Sequence, residues 1–229
     1  MKIFLALLIF FSSACLAEAH VPVLITQDSP FDITVVEDPE LSQAFYATMN
    51  GFPHTYEIVT DKPFHLFTKI LAPDTGAGAT NISGIIIKLP ESGGRVTEVG
   101  VLNGKDAEWN SDYEPYGGDS YLQGPQFEGE LEAGTYHIEV HTPDNQSPYV
   151  LALGTREEMT IGYGELLKRL IEVKRFFGKS PFLIVESPFV YVPIGLTIAL
   201  YFGIRRFRTR KERRTTNSKH EYAVAREEK

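Results

Sequence analysis

The 229-residue chain carries a formal net charge of −8, 43% hydrophobic residues and a single cysteine, Cys15. With that cysteine inside an N-terminal apolar segment, disulfides, thiol catalysis and cysteine-rich zinc sites are excluded from the remainder. The acidic balance disfavours nucleic acid as a partner.

Lys2, the apolar run Ile3 to Phe11 and the small-x-small site Ala17-Glu18-Ala19 predict a secretory signal over residues 1–19. A rival processing scheme lipidates Cys15, which follows Ser12-Ser13-Ala14. Cleavage after Ala19 makes His20 the first residue of the mature chain. An N-terminal histidine offers an amine and a ring nitrogen from one residue. With a second histidine it forms the brace that holds copper in some exported β-sandwich proteins, and these donors suit Cu(II). His54, His65, His137 and His141 are the candidate second ligands.

Residues 20–158 read as one extracytoplasmic domain of nine short strands. They are Asp32–Val36, Ala44–Thr48, His54–Thr60, Phe64–Ala72, Gly84–Leu89, Val96–Leu102, Phe127–Leu131, Gly134–Thr142 and Tyr149–Gly154. Apolar and polar residues alternate along them, with Gly, Pro, Asn and Asp between. Asn50-Gly51 is a hairpin signal between the second and third, and Pro90 to Gly94 marks another turn. The expected fold is mainly β, an antiparallel, jelly-roll-like sandwich. Asn81-Ile82-Ser83 fits a glycosylation sequon.

Between the sixth and seventh strands lies an acidic, aromatic loop. Asp106, Glu108, Asn110 and Asp112 place oxygen ligands at every second position, and Asp119 follows Gly117-Gly118. Hard cations such as Ca2+ want such oxygens, although the EF-hand template is not met. Trp109, Tyr113, Tyr116 and Tyr121 lie in the same stretch and are the candidate ligand-binding aromatics, for a protein or carbohydrate. His137-Ile138-Glu139-Val140-His141 resembles a metal motif. On a strand, however, its histidines stand about 13 Å apart and share only a polar face.

Leu131-Glu132-Ala133-Gly134-Thr135-Tyr136-His137-Ile138-Glu139-Val140, followed by Ser147-Pro148-Tyr149-Val150-Leu151-Ala152-Leu153-Gly154, resembles the closing hairpin of bacterial pre-peptidase C-terminal-like jelly-roll domains. Gln43-Ala44-Phe45-Tyr46-Ala47 is similar to their opening strand. The resemblance covers residues 30–154 and implies an accessory module for targeting or binding, with no catalytic residues to carry over. The chain departs from that family in lacking an attached peptidase and in adding a membrane anchor.

Residues 159–180 read as a juxtamembrane amphipathic helix. Leu166, Leu167, Leu170, Ile171 and Val173 form its stripe, and Lys168, Arg169 and Arg175 much of its other face. It is suited either to the membrane surface or to docking under the sandwich. Residues 181–204 are the expected transmembrane helix, with seventeen uncharged residues from Pro188 to Ile204. Tyr191 and Tyr201 lie within or toward the ends of this span, and Pro188 and Pro193 are candidate kinks. Glu186 lies where a carboxylate reaches the headgroups.

The basic tail 205–229 carries ten Lys and Arg against four Asp and Glu, whereas residues 20–204 carry eleven against twenty-five. That asymmetry predicts a single-pass type I protein of the plasma or inner membrane, domain outside and tail in the cytoplasm. No nucleophile elbow, His-Glu-x-x-His, phosphate loop or dinucleotide fingerprint occurs. A binding or assembly role is therefore favoured over an enzyme, with copper binding as the alternative function and a tethered hydrolase as the third.

Overall fold

The computed structural model describes residues 20–76 and 79–206. The expected signal over 1–19, with Cys15, and the tail from residue 207 lie outside the described residues. Among the described residues are eleven strands: β1 (Val21–Leu24), β2 (Ile33–Val36), β3 (Gln43–Thr48), β4 (His54–Thr60), β5 (Phe64–Pro73), β6 (Ser83–Leu89), β7 (Thr97–Leu102), β8 (Asn110–Glu114), β9 (Asp119–Leu131), β10 (Gly134–His141) and β11 (Pro148–Leu153). They form a six-stranded sheet ordered β1-β3-β11-β5-β9-β8 and a five-stranded sheet ordered β2-β4-β10-β6-β7. The expected sandwich is present, but its sheets are mixed. The N-terminal strands β1 and β2 add in parallel to β3 and β4, and every other pairing is antiparallel.

Period-2 alternation accounts for the core. Phe64, Leu66, Thr68, Ile70 and Ala72 of β5 and Tyr136, Ile138 and Val140 of β10 turn inward and are buried. The Gly-Thr-Tyr turn has a physical basis: Tyr136 fills the core edge against Phe64, with ring centroids 5.6 Å apart, and its hydroxyl donates to the Glu132 carbonyl at 2.8 Å. A chain of three polar side chains sits inside the core. The Tyr149 hydroxyl lies 3.0 Å from His54 Nδ1 and 2.8 Å from the Tyr56 hydroxyl. Burial pushes the His54 pKa down.

Two expected hairpins are sheet crossovers. Strands β3 and β4 flank Asn50-Gly51 but belong to different sheets, and so do β10 and β11. The two connections run side by side, with Met49 N–H donating to Ser147 O (3.1 Å) and Gly51 N–H to Asn145 O (2.7 Å). The local Asn-Gly signal describes the turn, while the choice of partner strand is made by burial: His54, Tyr56 and Ile58 complete the opposite wall of the core. The β6–β7 turn is a true hairpin.

Helix α1 (Tyr163–Phe176) packs on the outer face of the six-stranded sheet, burying Leu166, Leu170 and Val173. Val173 and Phe177 cluster with Ala44, Tyr46, Tyr121 and Val150. Arg169, expected on the free face, donates to Pro22 O at 2.9 Å and ties the helix to β1. Docking on its own sheet is thus the arrangement adopted. Residues Pro181–Glu186, expected as the start of the span, instead form a 3-10 turn capped by Ser180.

Residues 188–206 belong to a second compact unit. Pro188–Arg206 is a 19-residue helix, α2, long and apolar enough to cross a membrane. At 1.5 Å per residue it is about 28 Å long, close to a bilayer hydrocarbon core. Pro193 does not interrupt it, and the Thr197 hydroxyl donates to the Pro193 carbonyl at 2.8 Å.

Candidate functional site

The candidate residues fall into several different settings. The histidines are dispersed. His20 Nδ1 meets Ser42 Oγ at 2.5 Å beside the β1 edge, and Ser42 Oγ in turn donates to Glu157 Oε1 at 2.8 Å. His54 is a core residue. His65 stands on the outer face of the six-stranded sheet and His137 on that of the five-stranded sheet, where Nε2 lies 3.0 Å from Glu57 Oε2. Two sheets about 10 Å apart separate the last two. His141 lies four residues along β10 from His137, at the far end of the same polar face. Among the described residues no three His, Cys, Asp or Glu side chains are grouped to hold a metal ion.

His65 is held between Glu130 (Nδ1 to Oε1, 2.8 Å) and Glu128 (Nε2 to Oε1, 3.1 Å). These hydrogen bonds, that of Glu130 first, hold its pKa above the usual value. Its contribution to stability is therefore complete below the unfolded value near 6.5 and is lost as pH rises through the raised folded value. His65→Gln is expected to lower stability at about pH 5 and to change it little at about pH 9. Urea unfolding at the two pH values measures this.

The second half of the acidic stretch is a strand, whereas Asp106 and Glu108 lie in the turn that precedes it. Asn110, Asp112 and Glu114 of β8 alternate along the open edge of the six-stranded sheet. Alternate residues of a strand stand about 6.6 Å apart, which strings their oxygens out instead of wrapping them round one cation. Asp106 accepts from Asn103 Nδ2 at 2.8 Å, Asp112 from Gln123 Nε2 at 2.6 Å, and Asp74 from Ser111 Oγ at 2.5 Å. Glu108 is exposed.

The four aromatics do not form one platform. Tyr113 is 58% exposed on β8. Trp109 turns inward against the core and donates from Nε1 to Gly104 O at 2.8 Å. Its ring covers Gly124, where a Cβ would strike both the ring and Ile70 O. Gly124→Ala is expected to lift Trp109, red-shift its emission and cost about 1–3 kcal/mol. As the only tryptophan, it reports directly by fluorescence. Tyr116 is half-buried. Tyr121 is buried under α1, its hydroxyl 2.7 Å from that of Tyr46, with Phe176 and Phe177 edge-on to the pair. Burial pushes both phenols up.

Asp119 belongs to a buried ionic cluster. It is 0% exposed. Lys174, 1% exposed on α1, approaches it at 3.2 Å and Lys179 at 2.8 Å. Lys174 also donates to Gly118 O at 3.0 Å and pairs with Glu186 of the 3-10 turn at 3.4 Å. Glu114 shapes the adjoining turn by accepting from the Tyr116 and Gly117 amides at 2.6 and 2.5 Å. Burial raises its pKa, against those two bonds. Gly118 adopts φ +75°, and a Cβ there would meet Glu186 Cβ at 3.0 Å. The β8–β9 turn, α1 and the 3-10 turn are therefore locked through one set of charges.

Sequence reasoning missed Lys174 and Lys179 as members of this cluster, and Tyr46 as the hydroxyl partner of Tyr121. The available signal was the position of Lys174, eight residues after Leu166 and four after Leu170, which lies on the buried stripe.

The chain is thus a mainly β sandwich with a candidate membrane-spanning helix, and it carries an acidic open edge and a buried ionic cluster. No protein-family model matches it, and no curated protein does. Among solved structures, the pre-peptidase C-terminal domain of collagenase from Bacillus anthracis is similar over 56% of this chain and 98% of that domain. The identity is 11% and the TM-score 0.35. The resemblance to pre-peptidase C-terminal domains is present at that weak level.

Proposed function

We propose that the chain is an exported, membrane-tethered sandwich that acts as a binding or assembly module for a protein or carbohydrate ligand at the outer face of the membrane. Strand β8 carries this proposal. It is an open sheet edge, its side chains from Asn110 to Tyr113 are exposed, and its shape is set in advance by Trp109 behind it and Glu114 below it. An open edge offers a row of N–H and C=O groups to an extended segment, which favours a protein ligand. Asp112 and Tyr113 add charge and aromatic surface for specificity. The apolar helix α2 supports membrane attachment, and the charge asymmetry about it supports a domain held outside.

The test is a photo-crosslinking amino acid at position 113 of the full chain in its native membrane, with position 92, on the β6–β7 turn, as control. A discrete adduct at 113 that is absent at 92 and lost with Asp112→Lys is expected. No adduct at 113 would place the contact elsewhere.

A further inference from the structure

The 3-10 turn exposes apolar surface that the sandwich does not use. Phe182 is 85% exposed and Val185 55%. In a 3-10 helix residues three apart eclipse one another, so these side chains stack on one edge and form a single apolar ridge. Between Lys179 and Arg205 the only charged side chain is Glu186. Its carboxylate is drawn toward Lys174, at 3.4 Å. The ridge itself thus carries no charge. One residue, Ser187, separates the turn from helix α2.

The geometry points to the Phe182–Val185 ridge as a membrane-interface wedge, inserted at the headgroup–acyl boundary of the bilayer that α2 enters. The bilayer is the occupant because the chain runs from the ridge into an apolar helix within three residues of Val185. A soluble partner would have to compete for this surface with lipid that is always present. Aromatic and aliphatic side chains displayed together on a short rigid element suit that boundary. The ionic cluster gives the wedge its rigidity, since Lys174 bonds the 3-10 turn, α1 and the β8–β9 turn at once.

This inference rests on the membrane attachment proposed above, and one experiment separates the two. The full chain, with Cys15→Ala to remove the only cysteine, receives single cysteines at Phe182, Ile198 or Ser92, each labelled with an environment-sensitive NBD probe. The variants are reconstituted in phosphatidylcholine–phosphatidylglycerol vesicles containing lipids spin-labelled near the headgroup or deep in the chain. At position 182 a blue-shifted emission, quenched more by the shallow than by the deep label, is expected. Position 198 should be quenched most by the deep label, and position 92 by neither. A probe at 182 with the emission of position 92 and no quenching, while 198 is quenched, overturns the wedge and leaves the anchor standing. Loss of quenching at 198 as well overturns both.

Discussion

Asp119→Ala is expected to cost about 3–5 kcal/mol, the range for breaking a buried ion pair by removing one partner. Among the described residues, Asp119 is the carboxylate that Lys174 and Lys179 share. Its loss leaves the Lys174 ammonium, 1% exposed, with the Gly118 carbonyl and the half-exposed Glu186 alone. Lys174→Met should cost less, because its aliphatic stem is replaced in kind and Lys179 still neutralises Asp119. The double variant Asp119→Leu/Lys174→Met should be more stable than Asp119→Ala, since a buried pair replaced by apolar groups avoids the stranded charge. Denaturant unfolding followed through Trp109, at the foot of β8, measures all three. A loss from Asp119→Ala within experimental scatter would show that the cluster does not hold the elements together.

Ile138→Ala is expected to cost about 2–5 kcal/mol, through lost apolar burial and the cavity left behind. Ile138 lies on β10, between Tyr56 of β4 and Ile86 of β6, and all three are fully buried. Five-stranded sheet and core meet at this position, so little can collapse into the space. Ile138→Val, which removes one methylene, should cost about 0.5–1.5 kcal/mol. The neighbouring outward residue supplies the control: Glu139→Ala faces away from the core and should lie within about 0.5 kcal/mol of the parent. Equal losses at 138 and 139 would mean that the alternation does not define the inner face.

The strands that carry strong alternation were legible in the sequence almost residue by residue. His54–Thr60 matches its predicted bounds, and Phe64–Pro73 and Gly134–His141 lie within one residue of theirs. Pairing was less legible. Asn50-Gly51 reports a local turn, but whether the chain returns to the same sheet depends on contacts distant in sequence, such as Gly51 with Asn145. Strand β8 was hidden because Asn110-Ser111-Asp112 has low strand propensity, and it is held as a strand by its pairing with β9. The candidate site was legible in its exposed half. Its buried half was not, because a carboxylate at Asp119 and a lysine at Lys174 are each ordinary surface residues until the fold brings them to 3.2 Å. Tyr121 looks like a binding aromatic in the sequence for the same reason: only the docking of α1 covers it.

The disposition of the chain about the membrane is open to direct measurement. Single cysteines at Ser92, on the β6–β7 turn, and at Ser218, in the basic tail, are introduced with Cys15→Ala and treated with a membrane-impermeant maleimide on intact cells, followed by alkaline extraction of the membranes. The protein is expected to stay in the membrane fraction, with position 92 labelled on intact cells and position 218 labelled only after permeabilisation. Release of the protein by alkali, or labelling of 218 but not 92 on intact cells, would contradict this disposition.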